Sequence, residues 1–308
     1  MNEAFAKHVG EGLSATPKFL SSMYFYDEKG DELFMEIMNM PEYYLTDAEM
    51  EIFQHQSDRM IACFPEQPFD MVELGAGDGT KTIELLKKMK DIRFTYKPID
   101  ISENVLEHLE EKLSNELPWL EAQPLQGEYF GALKELSSRR KVILFLGSNI
   151  GNLTDEKARS FISQLADKMQ QHDLLIMGVD LKKSKQIVGP AYNDAEGITA
   201  RFNLNVLDRI NSELDGDFDL EAFSHEPDYN EETGIASSYL KSEKAQTVTI
   251  GALNRTFSFE AGERIHTEIS RKYDRTTLDR ILEGSGLGMA EELNDSRNYF
   301  ADFLLIKN

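Results

Sequence analysis

The stretch 71–81, M-V-E-L-G-A-G-D-G-T-K, constrains this chain more than any other. An apolar run carries one acid, Glu73, and then meets Gly75, Gly77 and Gly79 in alternation before a helical pattern begins. A buried parallel strand ends this way when its turn must let a ligand approach the backbone. A Cβ there would collide with the ligand or forbid positive φ. The helix that follows turns its free N–H groups to the same place. A dinucleotide fingerprint, G-x-G-x-x-G, needs glycine where this chain has Thr80. The spacing therefore argues against a nicotinamide dehydrogenase.

The segment 94–101, F-T-Y-K-P-I-D-I, reads as a second strand ending at Asp100. In such folds an acid about 20 residues beyond the glycines binds ribose hydroxyls. Asp100 also reads as a helix N-cap, but Ser102 can fill that role itself. E-L-G-x-G-x-G resembles the first motif of the class I S-adenosylmethionine (SAM) methyltransferases.

Strand and helix patterns alternate from about 70 to 180. Strands are expected at 69–74, 93–99, 122–126, 142–146 and 173–179, and helices at 80–89, 103–113 and 156–170. Alternating βα units predict an α/β fold with a parallel, doubly wound sheet. Ligands of such sheets bind outside the carboxyl ends of the strands, where Gly75, Gly77, Asp100, Glu128 and Gly147 fall. After 190 the pattern changes. A helix at 195–212 precedes strands at 235–241, 247–250, 255–259 and 264–273. A helix at 276–283, a turn at 284–288 and a last strand at 300–306 follow. On the 264–273 strand, strict alternation puts His266, Glu268 and Ser270 on one face. The first 45 residues show no sheet pattern. The expected organisation is a core of 48–183 plus 273–308, with 1–47 plus 184–272 forming a second domain.

The net charge of −22 repels phosphate backbones and anionic lipid, which argues against nucleic-acid and membrane partners. Cys63 is the single cysteine, so no internal disulfide forms, and the six histidines show no HxxxH or HxH spacing. No metal site is expected. No run of 18 apolar residues occurs, and the reading is a soluble, cytoplasmic monomer acting on a small molecule.

Residues 144–153, L-F-L-G-S-N-I-G-N-L, form a second constellation: a buried strand ends in small and amide-bearing residues. Three further segments stand out: Y-F-Y-D-E-K-G-D-E-L-F with P-E-Y-Y-L-T-D-A-E inside 23–49, A-Y-N-D-A-E-G-I-T-A-R-F-N-L-N at 191–205, and H-T-E-I-S-R-K-Y at 266–273. Together with the glycine turn and P-I-D-I-S, and in this order, they resemble the histidine Nα-methyltransferase family of ergothioneine biosynthesis.

The resemblance implies a class I SAM-binding core and a substrate domain built from the N-terminal segment and the late insertion. It implies trimethylation of the α-amine of L-histidine to hercynine, with SAM as donor and S-adenosyl-L-homocysteine (SAH) as product. Carried onto matching positions, Tyr43, Asn152 and Tyr192 would bind the substrate carboxylate. Glu268 and Ser270 would hold the imidazole, and Tyr26 and Phe202 would line the amine end. Gly75, Gly77, Lys81, Asp100, Glu128, Tyr129 and Gly147 would hold SAM. No strong base is evident, so the amine proton is expected to leave to water, organised by Tyr26. Where the family has aspartate this chain has Glu128. Where its histidine enzymes carry methionine near the substrate ring, this chain has Ser238, which makes the pocket roomier and more polar. Another amino acid, such as a tryptophan derivative, is the alternative acceptor, and a non-catalytic SAM sensor is the alternative of a different class.

Overall fold

The computed structural model describes residues 3–133 and 138–308. Its strands, in chain order, are β1 (Lys18–Phe19), β2 (Phe69–Leu74), β3 (Phe94–Asp100), β4 (Leu125–Gln126), β5 (Arg140–Phe145), β6 (Leu174–Asp180), β7 (Phe223–Asn230), β8 (Ile235–Ser242), β9 (Gln246–Ile250), β10 (Arg255–Phe259), β11 (Arg264–Arg271), β12 (Leu287–Asn294) and β13 (Phe300–Lys307). The chain divides into two compact units, Met1–Tyr44 with Lys183–Arg271, and Leu45–Lys182 with Lys272–Asn308.

The second unit holds a seven-stranded sheet in the order β12-β13-β6-β5-β2-β3-β4. β2 through β6 pair in parallel, and β13 runs antiparallel between β6 and β12. All six residues of β2 are buried, as a central strand covered on both faces requires. Alternate residues feed two cores: Phe69 and Met71 join Tyr96, Val142 and Ile176, while Val72 and Leu74 join Ile143, Met177 and Phe303. From β2 the chain winds to β3 on one side and later to β5 on the other. The carboxyl ends of β2 and β5 therefore flank a topological switch point, where ligands of such sheets bind. The expected α/β doubly wound sheet is what forms.

At the end of β6 the outgoing and returning chains are joined. Leu181 bridges Tyr273 in parallel, Tyr273 N–H donates to Asp180 (2.8 Å) and Lys182 N–H donates to Tyr273 (2.8 Å). Lys272 and Asp180 form a fully buried ion pair of 2.6 Å beside them.

The first unit holds a four-stranded sheet, β1-β11-β8-β7, and a β9–β10 hairpin. Helix Ile198–Leu214 places Phe202, Val206 and Ile210 in one core with Phe5, Val9, Leu240 and Ile265. Three readings need correction here. The N-terminal segment does supply a strand, since β1 pairs in parallel with β11. The edge strands β7 and β12 had no sequence signal: Pro227 and charged neighbours interrupt one, and the other buries little besides Leu293. Finally, the pairing of β11 with β8 shifts between His266 and Glu268, leaving Thr267 as an extra residue. This bulge puts His266 opposite Tyr239 but Glu268 opposite Ser238, so Glu268 and Ser270 lie on the face away from His266.

Candidate active site

Gly75 and Gly77, at the end of β2, have φ of +74° and +54°. The amides of Gly75 and Ala76 both donate to the Ile99 carbonyl, at 2.8 and 3.2 Å, which closes the turn against β3. A Cβ on Gly75 would stand 2.8 Å from the Tyr129 hydroxyl. A Cβ on Gly77 would meet nothing within 4 Å, so packing does not explain that glycine. The space it leaves is a cradle that a ligand can use. The Asp100 carboxylate accepts from Gly77 N–H at 3.4 Å and Ser102 N–H at 3.0 Å, while Ser102 Oγ caps the following helix through Val105 N–H. Asp100 thus belongs to the glycine turn, and the capping role falls to Ser102. Exposed Glu128 precedes helix Tyr129–Ala132 and makes no side-chain cap bond. Burial, helped by the Asp100 charge, pushes the Tyr129 phenol up to about 12, so it stays neutral and able to donate.

The other side of the switch point is organised by a residue with no expected role. Glu49, on helix Tyr44–Ala62, is fully buried. Its carboxylate pairs with the Lys81 ammonium and accepts from Gly147 N–H at 2.9 and 3.1 Å. A Cβ on Gly178 would lie 2.2 Å from Glu49 Oε1 and 3.1 Å from Asp302 Oδ1, so both acids rest over that glycine. Neither oxygen of buried Asp302 has a hydrogen-bond partner among the described residues. Burial and the neighbouring Glu49 charge, against the pull of Lys81, raise Asp302 well above its ordinary value. Burial pulls Lys81 down, but the charge and hydrogen bond of Glu49, with smaller help from the other acids nearby, hold the ammonium above its ordinary value. Glu49 was legible in one respect: an acid sits between Ala48 and Ile52 in the buried stripe of that helix. Asn152 ends a 3-10 turn, Asn149–Asn152, beyond β5, and is exposed there.

Glu73, the acid that opens the glycine motif, lies within β2 rather than in the turn. Its carboxylate accepts from Thr82 Oγ1 (2.7 Å) and from the Tyr96 hydroxyl. Burial pushes it up to about 7.

The first unit gathers the remaining residues. Tyr26, 39 % exposed, meets Phe202 and Phe34 edge-on at 5.5 Å each, and Phe34 meets Tyr43 at 6.5 Å. On the buried face of β8 and β11, Ser238 Oγ donates to Glu268 at 3.1 Å and the Tyr192 hydroxyl donates to Ser270 Oγ at 2.8 Å. Ser270 is thus tied to the residue expected at the carboxylate. His225 Nε2 lies 3.0 Å from the Tyr192 carbonyl, and burial lowers its pKa, so the neutral ring donates. The bulged Thr267 is pinned by its hydroxyl to Asn203 Oδ1 and the Ser238 carbonyl, each 2.9 Å away. His225, Phe34 and Asn203 were given no role from sequence, because nothing in their local pattern sets them apart and their partners come together only in the fold.

Among the described residues, no group of three His, Cys, Asp or Glu side chains could hold a metal ion, and no helix is long and apolar enough to cross a membrane.

Residues 5–307 match the model of a family described as histidine-specific, SAM-dependent methyltransferases. The chain is 36% identical over 310 residues to a histidine N-alpha-methyltransferase of Mycolicibacterium smegmatis, covering 99% of this chain and 95% of that protein. To the enzyme of the same name from Mycobacterium tuberculosis it is 37% identical, covering 92% of this chain and 89% of that one. It is 28% identical to ergothioneine biosynthesis protein 1 of Schizosaccharomyces pombe, where it spans 94% of its own length but 39% of that protein. Among solved structures, the mitomycin 7-O-methyltransferase MmcR shares the fold, with a TM-score of 0.52 at 13% identity over 99% of this chain and 68% of that one.

Proposed function

The chain belongs to the histidine-specific, SAM-dependent methyltransferases, and from that premise we propose that it methylates the α-amine of L-histidine, three times in succession, to give hercynine and SAH. The observation that carries the acceptor is the polar set on one buried sheet face, where Glu268, Ser238 and Ser270 stand together. A carboxylate accepts an imidazole N–H, and a hydroxyl serves the second ring nitrogen as donor or acceptor. Tyr43, Tyr192 and Asn152 are assigned to the substrate carboxylate.

The residues around the switch point fit SAM. Gly77 leaves its cradle open, Asp100 closes the next strand, and Lys81 presents an ammonium. Gly75, Glu128, Tyr129 and Gly147 complete the assigned set. When bound, SAM supplies an electrophilic methyl carbon on its sulfonium. The chain's residues hold a neutral amine in line with that carbon, and positioning supplies most of the rate. The aromatic rings of Tyr26 and Phe202 favour the cation that grows as methyls accumulate. No side chain is assigned as base. The proton leaves to water, with the half-exposed Tyr26 hydroxyl organising it.

Mass spectrometry of the protein with SAM and each of the twenty amino acids tests this reading. Successive gains of one, two and three methyls on histidine alone are expected. Methylation of another amino acid would move the acceptor, and SAM binding without any methylation would leave a sensor.

A further inference from the structure

Glu49 has no part in the chemistry above, yet it touches the segments that follow both strands bordering the switch point. Lys81 begins the helix after β2 and Gly147 follows β5, and the one carboxylate holds the ammonium of the first and the amide of the second. The pair is graded in exposure: the Glu49 side chain is 1 % exposed and that of Lys81 is 25 %. Lys81 is therefore the more accessible member of the pair. A lysine stem is flexible, so a fixed acid behind it sets where the charge stands. The only anionic group of SAM is its amino-acid carboxylate, which is what such a charge would receive.

We infer that Glu49 is a positioning residue for the cofactor: by clamping the Lys81 ammonium and the Gly147 amide, it pre-organises the crevice for a ligand carboxylate. This deepens the SAM reading and rests on it. Asp302 has a separate part. Buried without hydrogen-bond partners among the described residues and set beside the Glu49 charge, it favours its neutral form, which leaves the Lys81–Glu49 pair balanced one against one. The absent Cβ of Gly178 makes room for both acids.

The test is calorimetric titration of SAH into the full chain and its variants, with melting temperatures recorded alongside. Glu49→Gln keeps an acceptor for Gly147 but removes the charge. It should weaken SAH on the order of tenfold or more, the scale on which outer partners of a ligating group act. Lys81→Met should weaken SAH similarly, and the double variant no further, because Glu49 acts through Lys81. Glu49→Asp retains the charge but falls one methylene short, and should weaken SAH several-fold even if the glutamine variant does not fold. Asp302→Asn should bind as the parent does. Wild-type SAH affinity in Glu49→Gln or Glu49→Asp, additive losses in the double variant, or an equal loss in Asp302→Asn would overturn the inference. A parent protein that binds no SAH would instead remove the cofactor reading, and this inference with it.

Discussion

Ser238 Oγ donates a 3.1 Å hydrogen bond to the Glu268 carboxylate across the β8–β11 pair. The bulge at Thr267 makes this contact possible, because it places both residues on the same buried face. A carboxylate offers about four lone-pair sites, and the Ser238 hydroxyl takes one of them and orients the acid. Glu268→Ala should lower kcat/KM for histidine far more than for other amino acids. If the ratio between histidine and its competitors survives the substitution, the imidazole assignment is wrong.

Asn152 stands exposed at the end of its 3-10 turn, and its amide is assigned to the substrate carboxylate. Asn152→Ala should weaken histidine binding by about 1.5–3 kcal/mol, as expected for a hydrogen bond to a charged group. SAH affinity should not change. Titrating histidine into the SAH-saturated variant checks this, and parental affinity would count against the assignment.

Gly77→Ala separates backbone strain from ligand space. An alanine at φ +54° costs about 1–2 kcal/mol, and its Cβ meets no protein atom within 4 Å. The melting temperature should fall modestly while SAH binding falls much more. A variant that loses stability but binds SAH normally would show that the cradle is not used.

Glu73 makes a pH prediction. Burial raises its folded pKa from 4.5 to about 7, above the unfolded value. The folded chain therefore keeps a proton that the unfolded chain has released between those values, and this group's penalty appears as pH rises through that window. Above it, the full penalty is about 3 kcal/mol. Glu73→Gln can still bond Thr82 and Tyr96, whose hydroxyls rotate to donate or accept. The variant should be more stable than the parent at pH 8 and similar at pH 4. Denaturant unfolding at both pH values gives the answer, and a difference that does not vary with pH would refute it.

The core of the fold was legible where burial dominates. β2 appears at the expected residues because every position in it is apolar or satisfied internally, and the glycines mark its end. Helix Glu103–Glu116 shows its Leu106, Leu109 and Leu113 at the spacing that a buried stripe requires. The edges were illegible for the converse reason. β7 tolerates Pro227 because it pairs on one side only. β12 alternates poorly because a register shift falls between Met289 and Glu291. Period-two reading misplaced His266 because a bulge leaves no mark in composition. It is held by Thr267 and Asn203, far apart in the chain.

The glycine turn and the site residues carried by resemblance could be named from sequence, but Glu49 could not be given a role. Its partners Lys81 and Gly147 converge only once β2 and β5 lie side by side. An acid in an apolar helical stripe announces that it has a partner without saying which.

Leu181 and Tyr273 meet where the chain leaves β6 and where it comes back. To the large sheet, everything from Lys183 to Arg271 is an excursion whose two ends emerge at one spot. Doubling the length of such an excursion adds only about 0.6 kcal/mol of closure entropy. The pairing of β6 with β13 is indifferent to what is spun out between them. The segment proposed to choose the acceptor is therefore a cassette. It can be exchanged, together with the N-terminal segment that shares its core and its sheet, while the donor-binding half keeps its register, and this junction is where a foreign specificity segment would be grafted.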